Sequence, residues 1–135
     1  MHRLSWISPR IAAAVALVLV ALALLPSLRA ESRLRDAEDR IASDPVGALE
    51  RATNAENAVT FERTRLARVE ALSRAGRHRD AERLALRTLR EVPDDAVLMR
   101  WVYATRQAQG RESAARTTLD RIARRDPMWA LGLGR

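Results

Sequence analysis

The sequence predicts an all-α protein: an N-terminal transmembrane helix followed by a short α-solenoid of about three helix-turn-helix units. Three observations predict it. The stretch from Ile11 to Leu28 carries no charge. Beyond it, Gly76 and Gly110, Ala81 and Ala115, and Pro93 and Pro127 form three like pairs, each separated by 34 positions. Between these markers, apolar residues recur with the 3.6-residue period of one helix face.

The chain opens with a basic tail, residues 1–10, in which Trp6 suits an interfacial anchor. Residues 11–28 read IAAAVALVLVALALLPSL. As a helix rising about 1.5 Å per residue they span about 27 Å, close to the thickness of a bilayer core. Ten of them are Leu, Val or Ile. At about −0.3 to −0.6 kcal/mol each, these favour insertion by about 3 to 6 kcal/mol. A cleaved signal peptide is the competing reading, because the tail is basic and the apolar core is short enough for an h-region. Cleavage requires small residues at two positions, and the best site, before Glu31, offers Leu28 and Ala30 around Arg29. That favours an uncleaved, single-pass signal-anchor.

Two readings of its orientation remain. Arg3 and Arg10 precede the span and Arg29, Arg33, Arg35 and Arg40 follow it, so a count of basic residues places the repeats in the cytoplasm. The later arginines, however, alternate with Glu31, Asp36, Glu38 and Asp39. A signal-anchor with a short basic tail keeps that tail inside, which favours repeats on the extracytoplasmic side.

Residues 29–129 read as repeats. The first unit, 29–61, is degenerate. Leu34, Ala37 and Ile41 form one helical face, Asp44 caps, Pro45 takes the first helical position, and Ala48, Leu49, Ala52, Ala55 and Val59 form the next face. The second unit, 62–95, turns at Gly76 and stops at Pro93; the third, 96–129, turns at Gly110 and stops at Pro127. Glycine adopts the positive φ of a chain leaving a helix at little steric cost, and proline ends the next helix because it lacks a donor and clashes with the preceding turn. The second helices carry Ala81, Leu84, Ala85, Leu89 and Val92, then Ala115, Leu119, Ile122 and Ala123, as the faces that meet.

On these residues the chain resembles the tetratricopeptide repeat (TPR) family, whose unit has the same 34-residue period and buries its apolar face by stacking on its neighbours. The family carries small residues where this chain has Gly76, Ala81, Gly110 and Ala115, and closes its units where Pro93 and Pro127 stand. The first helices depart from the pattern. Arg65, Arg68 and Arg106 fall where the family has apolar packing residues, and Tyr103 where it has a small one. Those helices are therefore expected to be rotated or shifted by a residue.

The resemblance implies a groove lined by first helices, with Arg63, Leu66, Glu70, Ser73 and Arg74 from one unit. Val97, Arg100, Ala104, Gln107 and Ala108 come from the next. Its ligand is expected to be a protein partner. The family's carboxylate-gripping subclass uses Asn at such positions, which this set lacks.

Composition narrows the function classes. The chain has 135 residues, room for one soluble domain beyond the span. It has no cysteine, and only His2 and His78 supply imidazole, so neither a metal site nor a cofactor site is expected. The net charge of +7 comes from 24 arginines and no lysine against 17 acidic residues. A nucleic-acid binder clusters its cations with aromatic or amide residues between them; here the signs are mixed. Glu82 with Arg87 nearby, and Glu112 with Arg116, read as solvated helix faces. Arg29, Arg33 and Arg35 suit anionic lipid better than nucleic acid. No phosphate-cradling loop, nucleophile elbow or zinc-hydrolase spacing occurs, so no catalytic residue is assigned. Asp80, Glu82, Asp94 and Asp95 read instead as helix caps and first-turn acids.

Two function classes follow. One is a membrane-anchored interaction module whose repeats dock a partner. The other is an accessory subunit of a membrane complex that binds through its transmembrane helix. Cleavage of the leader would give a secreted repeat domain instead. A second resemblance is confined to the span, the charged linker and the stretch from Ser43 to Ala55: it is similar to the membrane-to-TPR junction at the C-terminus of O-antigen-ligase-type polymerases of Arg-rich bacteria. It implies a partner in envelope polysaccharide assembly.

The tail, residues 130–135, is too short for another repeat. Met128, Trp129 and Leu131 are expected to fold back in one turn over Leu119 and Ile122, with Gly132 and Gly134 releasing the chain. The rival reading leaves them exposed as a docking patch.

Overall fold

The computed structural model describes residues 9–55 and 61–133. Expectations for Trp6, Val59 and Gly134 lie outside the described residues. Every regular element described is a helix: α1 (Pro9–Arg40), α2 (Pro45–Asn54), α3 (Phe61–Arg74), α4 (His78–Glu91), α5 (Ala96–Ala108), α6 (Glu112–Arg125) and α7 (Pro127–Leu133).

The boundary expected at Leu28 is not a break in the helix. α1 runs unbroken for 32 residues, about 48 Å at 1.5 Å per residue, through Pro26 and into the part that packs against α2 and α3. No helix breaker follows Pro26 before Arg40, and pairs one turn apart support the charged half: Glu31 with Arg35 at 3.4 Å and Asp36 with Arg40 at 3.0 Å. The N-terminal part of α1 is long and apolar enough to cross a membrane, and the rest of the protein leaves it uncovered. Leu17 is 70% exposed and Leu28 64%.

The helix ends follow from local chemistry. Asp44 caps α2, its Oδ1 accepting the Gly47 N–H at 2.9 Å, with Pro45 in the first turn. Asp95 caps α5 by accepting from Val97 and Leu98 N–H at 2.8 and 3.0 Å. Gly76 and Gly110 have φ of +74° and +69°. Each closes a helix with the same pair of bonds: Arg77 N–H to Leu72 C=O and Gly76 N–H to Ser73 C=O, then Arg111 N–H to Arg106 C=O and Gly110 N–H to Gln107 C=O. This is the Schellman arrangement, which only a left-handed residue completes. The repetition extends to the other ends. Val92 and Asp126, 34 residues apart, end α4 and α6 at φ −129°, ψ 75° and φ −136°, ψ 78°.

Each helix packs on the next, and α3 also touches both α1 and α5. Short connections between packed neighbours make the stack antiparallel. One core joins α1, α2 and α3 through Leu34, Ala37, Ile41, Ala48, Ala52 and Ala67. A second joins α3, α4 and α5 through Val69, Leu72, Ala81, Ala85, Leu98 and Val102. Small residues let these helices approach closely, so each interior Leu, Ile or Val fills most of the space available to it. Along α6, Ile122 is fully buried whereas Leu119 is only partly so.

Two expectations need correction. Met128 and Leu131 do not fold back over α6: they are 79% and 67% exposed. Pro127 starts a further helix, because Asp126 accepts the Trp129 N–H at 3.1 Å and so caps it. Only Trp129 turns inward, and toward α5: its ring meets Tyr103 edge-on at 6.0 Å, with the Arg100 guanidinium 4.9 Å from its centroid. Glu82 is the second correction. It is not on a solvated face but 6% exposed.

Candidate functional site

Two surfaces are candidates. The first is the face expected from the family resemblance. Residues 63, 66, 70, 73 and 74 of α3 share one helical face by their spacing, as do 97, 100, 104, 107 and 108 of α5. Much of that face is already engaged. Arg63 reaches back to α1, pairing with Glu31 at 2.7 Å and Glu38 at 2.9 Å. Glu70 pairs with Arg74 at 3.0 Å. Leu66 packs against the second core and Ser73 is half-buried. Arg100 is held by Asp126 at 2.5 Å beside Trp129. Val97, Ala104, Gln107 and Ala108 remain exposed, a mostly small and neutral strip along α5.

The second surface is a cleft of about 580 Å³ between α4, α5 and α6. None of the expected groove residues lines it. Its apolar floor is Leu86, Leu89, Pro93, Met99 and Val102; around it stand Arg90, Arg106, Arg121, Arg124 and Arg125, and no acidic residue. Arg125 is held by Asp94 and the Pro93 carbonyl. Arg106 is held at the deep end. Arg90, Arg121 and Arg124 have no carboxylate partner among the described residues. Five guanidiniums around an apolar floor suit an amphipathic anion.

Sequence reasoning missed this cleft, although a signal was present. Arg87 and Arg121, and Arg90 and Arg124, recur 34 residues apart. Stacked units therefore carry cations at the same level of α4 and α6, with an aliphatic stripe between them.

The cleft is anchored by a polar joint. Glu82 of α4 accepts from Arg106 Nε at 2.7 Å, Gln109 Nε2 at 3.0 Å and Arg111 at 2.8 Å. Arg106 goes on to donate to Thr118 Oγ1 at 2.7 Å and the Ala114 carbonyl at 3.3 Å, so one guanidinium ties α4 to α6 across α5. Burial pushes the Glu82 carboxyl up, but hydrogen bonds from Arg106 and Gln109, with the charges of Arg106 and Arg111, outweigh it and hold the group below its ordinary value. Arg106 is thus a paired ion at a position where the resemblance leads one to expect an apolar side chain; Arg65 is likewise paired, 15% exposed and 2.8 Å from Glu91. Among the described residues no group of three His, Cys, Asp or Glu side chains is placed to hold a metal ion.

Comparison with protein-family models, with curated proteins and with solved structures finds no match to this chain.

Proposed function

We propose that this chain is a single-pass membrane protein whose three TPR-like units dock a partner protein, without catalytic activity of its own. The observation that carries this reading is the duplicated backbone: two helix hairpins end in the same Schellman closures and the same dihedrals 34 residues apart. Such units bury their faces by stacking and leave a side of the stack for binding. The exposed strip of Val97, Ala104, Gln107 and Ala108 is the part of the first-helix face free to receive a partner. The continuity of α1 from the apolar stretch into Leu34 supports an uncleaved anchor. The repeats are proposed to lie outside the cytoplasm, and the junction resemblance proposes a partner in envelope polysaccharide assembly.

A photo-crosslinking residue at Ala104 or Ala108 tests the reading in native membranes. One adduct of the same mass is expected from both positions, and none from Arg83 or Arg116. A second reading is favoured by the uncovered apolar side chains of α1: an accessory subunit bound through its span. Adducts arising only from Leu17 or Leu22 would establish that reading and exclude the first.

A further inference from the structure

Among the described residues, guanidiniums without a carboxylate partner extend along α4 and α6, from Arg79 and Arg116 at one end to Arg90 and Arg124 at the other. Cations alone therefore mark no site. Around Arg79 and Arg116 the exposed neighbours are polar: Arg83 on α4, Ser113 and Thr117 on α6. In the C-terminal halves of the two helices the surroundings differ. Leu86 is 37% exposed, and behind it Leu89, Met99 and Val102 give the cleft an aliphatic floor. Met99 and Val102 are buried, so the floor lies deep. Arg90 on the α4 wall and Arg121 and Arg124 on the α6 wall line the cleft with exposed side chains, and Arg87 is exposed next to Leu86. Arg124 donates only to the Asp120 carbonyl of its own helix, at 3.2 Å, which leaves its charge without a counter-ion. The acids close by are engaged or outside the cleft: Glu91 pairs with Arg65, Asp94 with Arg125, and Asp120 is exposed and does not line it.

We propose that this cleft receives an acidic amphipathic helix of a partner protein, its apolar stripe against the floor and the carboxylates on its two flanks against the arginines of the two walls. The order of the chemistry, aliphatic at depth and cationic at the rim, is that of a groove entered by the apolar face of such a helix. The doubling of the cations decides between a helix and a small amphiphile. Arg87 with Arg121 and Arg90 with Arg124 recur at the 34-residue period, so each wall carries a pair of guanidiniums about one turn apart. A single headgroup offers one centre of charge. A helix with an apolar a/d stripe offers acids at e and g, in a row on each side, and each guanidinium meets a carboxylate in a charge-assisted hydrogen bond. Nucleic acid fits poorly, since α4 and α6 contain no Phe, Tyr, Trp, Asn or Gln on which bases stack or pair.

The inference rests on reading the stack as a docking module, but it uses a different face from the strip on α5. Arg83 and Arg116 lie outside the seat, toward the other end of their helices.

The test titrates the full chain, in phosphatidylcholine nanodiscs, into a fluorescent peptide about three heptads long with leucine at a and d and glutamate at e and g. Anisotropy reads affinity, and amide hydrogen exchange reads position. Residues 86–93 and 118–125 are expected to exchange several-fold more slowly in the complex. R90Q/R121Q should weaken binding several-fold, and R79Q/R116Q, which removes the same charge away from the floor, by less than about twofold. L86S, at an exposed side chain, should weaken it several-fold as well, because it removes floor and no charge. Raised salt should weaken it further, since exposed charges are screened over about 10 Å at 0.1 M. Equal loss in the two double variants overturns the proposal, as does equal affinity for a peptide with alanine at a and d. So does protection of these residues by polyuridylate or polygalacturonate together with none from the peptide. An unbound peptide alongside intact adducts from Ala104 overturns this inference alone; a bound peptide without those adducts overturns the α5 strip alone.

Discussion

The joint that binds α1, α2 and α3 and the joint that binds α4, α5 and α6 solve the same packing problem in opposite ways. The core of the first is aliphatic: Leu34 and Ile41 sit among alanines of α1, α2 and α3, and at its edge Arg63 bridges to Glu31 and Glu38. The second places a carboxylate and a guanidinium inside, with Glu82, Arg106 and Thr118 spanning three helices, and leaves a cation-rimmed cleft open beside them. Alanine seams close up and exclude ligands. Buried ions hold helices at a fixed spacing while leaving donors and apolar surface accessible. The joint beside the long apolar helix is therefore the closed one, and the far joint is the one that leaves a cleft.

The largest expected effect breaks the closed joint. Leu34→Asp puts an unpartnered carboxylate at a site with no solvent exposure, at a cost of more than about 4 kcal/mol. Thermal unfolding of the full chain in detergent, followed by circular dichroism, should show α1 to α3 undocked at ambient temperature. A melting temperature within a few degrees of the parent would show that the first joint is no tighter than the second.

A smaller effect is expected in the polar joint. Glu82→Ala strands Arg106, whose side chain is only 19% exposed, and should cost about 3 to 5 kcal/mol. The double variant E82L/R106L should recover most of this, since replacing both partners with apolar residues removes the orphaned charge. If the double variant is as unstable as E82A, the contrast between the joints fails. The pH dependence has a definite sign. Because Glu82 is held below its ordinary value of 4.5, its contribution is fully present above that pH and is lost as pH falls through the lower folded value. Melting temperature against pH should thus drop more steeply below about 4.5 in the parent than in E82L/R106L.

The smallest effect concerns α7. Trp129→Ala removes the Tyr103 and Arg100 contacts from a half-buried site, and should lower stability by about 1 to 2 kcal/mol. Met128→Ala, at an exposed side chain, should change it by less than about 0.5 kcal/mol. Equal effects would restore the fold-back expected from the sequence.

What was legible in the sequence depended on whether the cause was local. The glycine turns, the Asp44 and Asp95 caps and the apolar faces of α4 and α6 follow from residues within one or two turns of each other, and the structure contains them. The continuity of α1 was harder to see, because a change from apolar to charged composition looks like a boundary although nothing between Leu28 and Arg33 breaks a helix. Glu82 looked like a surface acid, since its partners Arg106 and Arg111 lie 24 and 29 residues away. The cleft left a trace in the 34-residue recurrence of Arg87 with Arg121 and Arg90 with Arg124, but its lining comes from three helices and shows only when they are packed. Trp129 was expected to seek aliphatic neighbours on α6, but Asp126 caps α7 and turns the ring toward Tyr103.

We propose that one continuous helix, α1, carries the chain from the bilayer into the first core. Alkaline extraction of native membranes, followed by N-terminal sequencing of the pelleted chain, decides this. The chain should stay in the membrane pellet with residues 11–28 intact. Release into the supernatant with an N-terminus at or near Glu31 would contradict the claim.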